Sequence, residues 1–414
     1  MKKALSVVGV ILVGAAVAAW FARAARFDYR PDADRNVLLV TIDTLRADAL
    51  GAYGGRATTP NLDRLAARGA KFDFAHAHAV VTLASHASIL SGAYPYEHGI
   101  RDNTGYRFPA TRPTAATALK AQGFATGAFV GGFPLDHRFG LNIGFDRYDD
   151  TLAPVAGAES GERERRAEAV VASALEWIGG QNGKWFSWVH VYDPHVTYAP
   201  PEPWASRFPS DPYLGEVSYV DASLGALFDR LATLPRRTLV IVTADHGEGL
   251  GDHGELTHSV FAYESTIRVP LIVAELGGSQ TASPKGITVT AAARHVDILP
   301  TILEAVQAPA VPTSGASLRP LIEAGASGDR PSYFEAMSAN LARGWAPLRG
   351  VIVGAEKFID LPIAELYDLE ADPRELRNAI ALTPDRGNVL YNTLKSFNVA
   401  PPGRPQEETA ETVD

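Results

Sequence analysis

The longest apolar stretch opens the chain: Ala4 to Ala22 carries no charge and follows the basic flank Met1-Lys2-Lys3. A run of that length just spans a bilayer, and Ala22-Arg23-Ala24 matches the small-x-small pattern of signal-peptide cleavage. Residues 1–25 therefore read as a transmembrane anchor or a signal peptide. Either one predicts export to a periplasmic or other extracytoplasmic compartment. A polar linker leads to Asn36–Ile42, a continuous apolar run of strand length and the pattern of a strand buried on both faces. Thr59-Pro60 opens a helix that ends at Gly69, with Thr at the N-cap and Pro at the first helical position. The alternation continues with a helix at 114–122, a strand at 124–130, a helix at 162–178, a strand at 185–191, a helix at 213–234 and a strand at 238–243. This order predicts an α/β fold, with a mainly parallel sheet sandwiched by helices, over 36–312. The pattern changes near Thr313. Strand-like pieces at 346–353 and 357–359 around a turn at 354–356, and a helix at 384–396, predict a smaller C-terminal α+β subdomain over 315–399. The Pro-, Glu- and Thr-rich end, 400–414, reads as a disordered tail.

The chain has 414 residues, with 38 basic against 47 acidic side chains and a net charge of −9. That balance argues against a nucleic-acid partner, which would require a basic face. There is no cysteine, which excludes disulfides, thiolate metal sites and a cysteine nucleophile. In an open α/β sheet, ligands bind outside the carboxyl ends of the strands, and three predicted strand ends carry suitable residues. Asp43 follows the first strand. His190 and Asp193-Pro194-His195 lie at the end of the strand at 185–191, and Asp245-His246-Gly247-Glu248 follow that at 238–243. Singly, Asp43 and Asp245 read as helix N-caps, and His190 as a hydrogen-bonded core histidine, the reading favoured for it. Together, two aspartates and a histidine make a divalent-metal ligand set. Thr82 to Gly92 adds a hydroxyl at a helix start, where the dipole, free N–H groups and a metal favour an alkoxide. The competing reading makes Thr82 a simple N-cap, with Ser85 as another candidate.

Taken in order, these segments resemble the sulfatase family of the alkaline-phosphatase superfamily. Asn36–Asp43 with Thr44-Leu45-Arg46-Ala47-Asp48 is similar to the family's opening strand and first metal ligand. Thr82–Gly92, continuing as Ala93-Tyr94-Pro95-Tyr96-Glu97-His98-Gly99, is similar to its nucleophile signature, and Val242–Glu248 to its second metal motif. Arg349–Val353, Lys357–Asp360 and Glu365–Pro373 are similar to its C-terminal subdomain. The resemblance runs from Asn36 to Ala381 and implies an alkaline-phosphatase-like fold. It departs at the nucleophile. Where the family carries Cys/Ser-x-Pro-x-Arg, oxidised to formylglycine, this chain reads Thr82-Leu83-Ala84-Ser85-His86, and the threonine methyl blocks formation of the aldehyde. Phosphodiesterases and phosphoglycol transferases of the superfamily use an unmodified threonine. The family's second N-terminal aspartate is Thr44 here. That leaves one divalent metal ion (Mn, Zn, Ca or Mg) held by Asp43, Asp245, His246 and Thr82, with the histidine leaning towards Mn²⁺ or Zn²⁺.

The resemblance further implies in-line attack by Thr82 on a phosphate or sulfate ester, with His195 protonating the leaving alcohol. Asn103 and His98 are the expected substrate-binding residues. His258 stands where other members place a lysine, and His86 where they place the arginine, as a weaker anion clamp. The first expectation is a phosphate diester or phosphonate ester. A sulfate ester handled by unmodified threonine comes second, and a transferase acting on lipid head groups or envelope polymers third. A degenerate metal-binding interaction protein is the non-enzymatic alternative. The expected partners are a small-molecule or envelope or lipid ester and, through the N-terminal helix, the membrane. Tyr106, Tyr198 and Trp204 are loop aromatics available to line a pocket.

Overall fold

The uninterrupted apolar runs fold as strands with no exposed face. The computed structural model describes residues 27, 29–154, 163–278, 284–324 and 330–401. The predicted N-terminal segment and nearly all of the predicted tail lie outside the described residues. Among the described residues no helix is long and apolar enough to cross a membrane. Along the first half, β1 (Asn36–Ile42), α1 (Pro60–Ala66), β2 (Ala70–His76), α2 (Thr82–Ser91), α3 (Ala115–Lys120), β3 (Ala125–Phe129) and β4 (Arg147–Asp149) follow one another. Next come α4 (Ala167–Gly179), β5 (Trp185–Val191), α5 (Pro212–Ala232), β6 (Thr238–Ala244), β7 (Arg268–Leu276), β8 (Ile287–Val289) and α6 (Ile298–Ala305). The remainder supplies β9 (Ser332–Ala336), β10 (Leu348–Val353), β11 (Glu356–Asp360), β12 (Glu365–Asp368) and α7 (Pro384–Ser396).

The large sheet has the order β8-β2-β7-β6-β1-β5-β3-β4. From β6 to β4 all neighbours are parallel, and β7 runs antiparallel between β6 and β2. Helices α1, α4 and α5 pack on one face, and α2, α3 and α6 pack together on the other. This is the expected fold class. β1, β5 and β6 are buried at every position, so nothing selects a polar alternate residue. Their register sets Ile42 beside both Val191 and Ala244. The three strands therefore end level, and the residues that follow them emerge side by side. The helix expected from 162 begins at Ala167, after Arg163–Glu164 in extended backbone. Its first N–H is received at 2.9 Å by Asp193, from the segment after β5.

The small sheet, β9-β10-β11-β12, is antiparallel throughout. Adjacent residues on each strand face opposite ways, as the two-residue period of a strand requires. Phe334, Ile352, Ile359 and Tyr367 join the main core. Tyr333, Val351, Phe358 and Leu366 form a second core with Leu390 and Leu394 of α7.

Candidate active site at the strand ends

Asp43, Asp245 and His246 meet where β1 and β6 end. All three are fully buried, and one ligand atom from each lies within 4.8 Å of the others. Asp245 Oδ1 accepts the backbone N–H groups of His246 (2.8 Å) and Thr44 (3.2 Å), which leaves Oδ2 without a partner. Asp43 Oδ1 is likewise unpartnered. His246 donates Nδ1–H to the Gly247 carbonyl at 2.9 Å, so its bare Nε2 faces the two carboxylates, 3.4 Å from Asp245 and 4.0 Å from Asp43. Burial raises both aspartates above the ordinary carboxylate range. Burial pulls His246 down, but the two carboxylates outweigh it and hold the ring above its usual value. Among the described residues only histidines pair with these two carboxylates, and desolvated carboxylates without a lysine or arginine partner are costly. Three orphaned donors converging on one point are the signature of a cation site, and the residues present fit a divalent ion.

Thr82 is the first residue of α2, with Val81 at the N-cap, so its hydroxyl does not cap the helix. It is 1% exposed, and Oγ1 donates to Asp43 Oδ2 at 3.4 Å. The helix dipole and the free first-turn N–H groups make this the anion-favouring end of α2. Gly92 closes the helix in the left-handed region, φ 63°. The Leu83 N–H donates at 2.8 Å to Asn103 Oδ1. That bond fixes the amide's orientation, with Oδ1 as the acceptor and Nδ2 as the donor end.

His258 and His195 continue a row of imidazoles from His246. The His258 ring centroid lies 4.5 Å from that of His246 and 5.3 Å from that of His195. His195 stacks on Tyr192 at 4.3 Å and donates Nδ1–H to the Val196 carbonyl at 2.7 Å. His258 Nδ1 bonds Glu248 Oε1 at 3.0 Å, and Tyr198 donates to Glu248 Oε2 at 2.9 Å. Burial lowers both imidazoles, most strongly that of His258. Both rings thus direct Nδ1 at protein oxygens and keep Nε2 available.

The sulfatase family model matches residues 35–308. The chain belongs to the sulfatase family of ester-bond hydrolases. A choline-sulfatase of Rhizobium meliloti is 33% identical over 45% of this chain and 35% of its own length. An N-acetylglucosamine-6-O-sulfatase of Bacteroides thetaiotaomicron is 24% identical over 83% of this chain and 82% of its own. Among solved structures, the phosphonate monoester hydrolase of Agrobacterium radiobacter superposes with a TM-score of 0.70 at 21% identity. That superposition covers 88% of this chain and 95% of the other, and it shows the shared fold.

Against the sulfatase pattern, two positions, His86 and His98, differ from what the motifs suggested. His86, expected to clamp the anion, has both nitrogens engaged: Nδ1 donates to the Thr82 carbonyl at 2.8 Å, and Nε2 accepts from Thr41 Oγ1 at 2.9 Å. Burial pushes its pKa to about 3, so it is neutral and holds the Thr82 backbone instead. His98 is buried, bonded to Ser88 Oγ at 3.0 Å and to the Ile100 N–H at 3.1 Å, and keeps no nitrogen for a substrate. His190 is the fully buried, hydrogen-bonded core histidine it was read as, and one of its bonds also reaches the site. Its Nδ1 accepts the Gly131 N–H at 3.3 Å, so Nε2–H donates to Asp43 Oδ2 at 3.2 Å.

Two further residues carry no role in the motif reading. Thr44 adopts φ 49°, a rare conformation for a β-branched residue. It is held there by Oγ1 on the Pro194 carbonyl (2.7 Å) and by its N–H on Asp245. Glu248, quoted only as part of the second metal motif, joins Tyr198 to His258. The available signal was its place two residues beyond His246.

Proposed function

We propose that the protein hydrolyses a singly charged ester, a sulfate monoester first, with unmodified Thr82 as the nucleophile. The observation that carries this reading is the placement of Thr82 at the buried N-terminus of α2, 3.4 Å from Asp43 and beside three orphaned ligand atoms. A divalent ion held by Asp43, Asp245 and His246 would lower the hydroxyl pKa and polarise an ester oxygen. Asp43 Oδ2 accepts the Thr82 hydroxyl hydrogen bond in the resting state, would take its proton on attack, and would return it when water releases Thr82 from the ester. His190 and Thr44 fix the two carboxylates. His195 Nε2, bare in the resting ring, acts as the acid only once protonated. It passes that proton to the leaving alcohol and recovers one from the water that hydrolyses the Thr82 ester, while Asn103 Nδ2 holds the oxygens of the transferred group.

Charge selects the substrate class. Arg46 and Arg101, the arginines nearest in sequence to Asp43 and Asn103, are engaged by Asp48 and Asp252 and by Glu335. The imidazoles of His86 and His258 are held neutral by burial. With these arginines engaged and these rings neutral, the described side chains beyond the ion's own ligands add little positive charge, which suits a monoanion better than a dianionic phosphate monoester. The sulfatases among its relatives favour the sulfate ester, and a small sulfated saccharide or alkyl sulfate fits their named substrates. A phosphonate monoester, also singly charged, is the second reading, supported by the neighbour of that activity. Export, membrane attachment and an envelope substrate rest on the N-terminal sequence alone.

The test is turnover of aryl sulfate, phosphonate monoester, phosphate diester and phosphate monoester with each divalent metal, beside Thr82→Ala. The expected result is sulfate or phosphonate turnover that falls about 10³-fold or more in Thr82→Ala, with a Thr82 ester trapped by mass spectrometry. Preferred turnover of the phosphate monoester, or an active Thr82→Ala, refutes the proposal.

A further inference from the structure

We infer that Glu335 and Ser338, outside the sulfatase motifs, are positioning residues that hold Asn103 against the start of α2. This rests on the reading of Thr82 as the nucleophile. Three consecutive residues reach three different partners. Arg101, 4% exposed, forks onto Glu335 of β9 through Nε and Nη2. Asp102 Oδ1 accepts from Ser338 Oγ at 3.0 Å and from the Asn103 N–H at 2.8 Å. Asn103 Oδ1 then receives the Leu83 N–H at 2.8 Å.

The same strand grips the other flank of α2. The Glu335 N–H donates to the His78 carbonyl at 3.0 Å, and His78 Nδ1 donates to the Tyr333 carbonyl at 2.7 Å. Tyr333 Oη adds a further hydrogen bond to Glu335 at 2.6 Å. β9, an edge strand of the small sheet, is thus tied to the chain just before Thr82 and just before Asn103. A buried arginine–carboxylate fork gives little net stability compared with apolar packing. It does give a two-point geometry that fixes direction as well as distance. That is what an amide donor needs if it must meet developing charge without reorganising.

The experiment uses the full chain with Ser338→Ala and Glu335→Gln, each also combined with Asn103→Ala. It records kcat and KM on the best aryl ester, and hydrogen exchange of the peptide carrying Leu83, with β6 as the internal reference. In Ser338→Ala we expect kcat to fall about 10-fold at nearly constant KM, with faster exchange at Leu83 and unchanged exchange in β6. In the Asn103→Ala background neither substitution lowers kcat further, because both act through the same amide. Equal losses in the two backgrounds, or unchanged Leu83 exchange, overturn the inference. If Glu335→Gln does not fold, Ser338→Ala alone decides. If the parent turns over no ester, the proposed function fails, and Leu83 exchange in Ser338→Ala decides this inference by itself.

Discussion

Glu216 lies inside α5 with its carboxylate out of water. Oε1 accepts the Ala199 N–H at 2.9 Å and lies 3.4 Å from Arg166 Nη1, while Oε2 has no hydrogen-bond partner. Burial first, and the neighbouring Asp193 carboxylate second, push its pKa up to about 8. Arg166 also binds Asp193 and the Ala199 carbonyl, each at 2.8 Å. This cluster therefore carries the 193–199 segment, on which His195 and Tyr198 sit. The unfolded chain releases the Glu216 proton near pH ~4.3, whereas the folded chain keeps it to about 8. The stability this supplies is complete below the unfolded value and is lost as pH rises through the folded one. Glu216→Gln imitates the protonated form at every pH. Its melting temperature should run close to that of the wild type at pH 5 and exceed it increasingly towards pH 9, by about 2–5 °C. Parallel melting curves across that range would show that Glu216 is already ionised in the fold.

Among the elements, β1, β5 and β6 matter most, because their level ends bring Asp43, His190 and Asp245 together. A divalent ion bound there stabilises only the folded chain, since the ligands lie on strands far apart in sequence. Chelation should therefore lower the melting temperature, and metal at a hundredfold excess over Kd should restore about 2.7 kcal/mol. Asp245→Asn should melt at the same temperature with and without metal. Restoration that survives this substitution would place the ion elsewhere. These strands were legible because burial on both faces leaves an unbroken apolar run, and α7 because Pro384 and the polar residues frame it. β7 was not read. Pro270 lies within it, and proline ordinarily argues against a central strand. The fold accommodates it where the β2 register shifts between Phe72 and Ala75, opposite the proline. The ligand set was legible because strand ends concentrate it in sequence. His190 was not, because its role follows from the register that sets it beside Thr41, one residue from the end of β1. The work done by His86 was equally hidden, since only the folded chain shows what reaches each ring nitrogen.

At the scale of the whole molecule, buried ions cross the seam between the two sheets beside the apolar contacts of Phe334, Ile352, Ile359 and Tyr367. Lys357 of β11 is fully buried, with Nζ 2.7 Å from Glu375 Oε1 and 3.4 Å from Glu264 Oε1. Glu264 also meets His76 Nε2 at 3.1 Å, at the end of β2. Its own N–H donates to Glu375 Oε2 at 2.5 Å. A single ammonium thus bridges carboxylates from the main sheet side and from the turn after β12. Burial raises Glu375 to about 7, while the lysine pulls it back. Lys357→Met would leave two carboxylates in a dry seam with their cation gone, a change that typically costs about 3–5 kcal/mol. The half-exposed pair Arg386–Glu356 lies on the outer side of the same small sheet. Arg386→Ala should cost under about 1 kcal/mol. Denaturant melts of the two variants would separate these cases. The Lys357→Met deficit should also shrink towards pH 5, because protonating Glu375 removes one of the opposed charges. A Lys357→Met protein as stable as Arg386→Ala at neutral pH would mean that the apolar contacts of Phe334 and Ile359 hold the sheets together alone. In that case β9 would reach the flanks of α2 without help from the ionic seam.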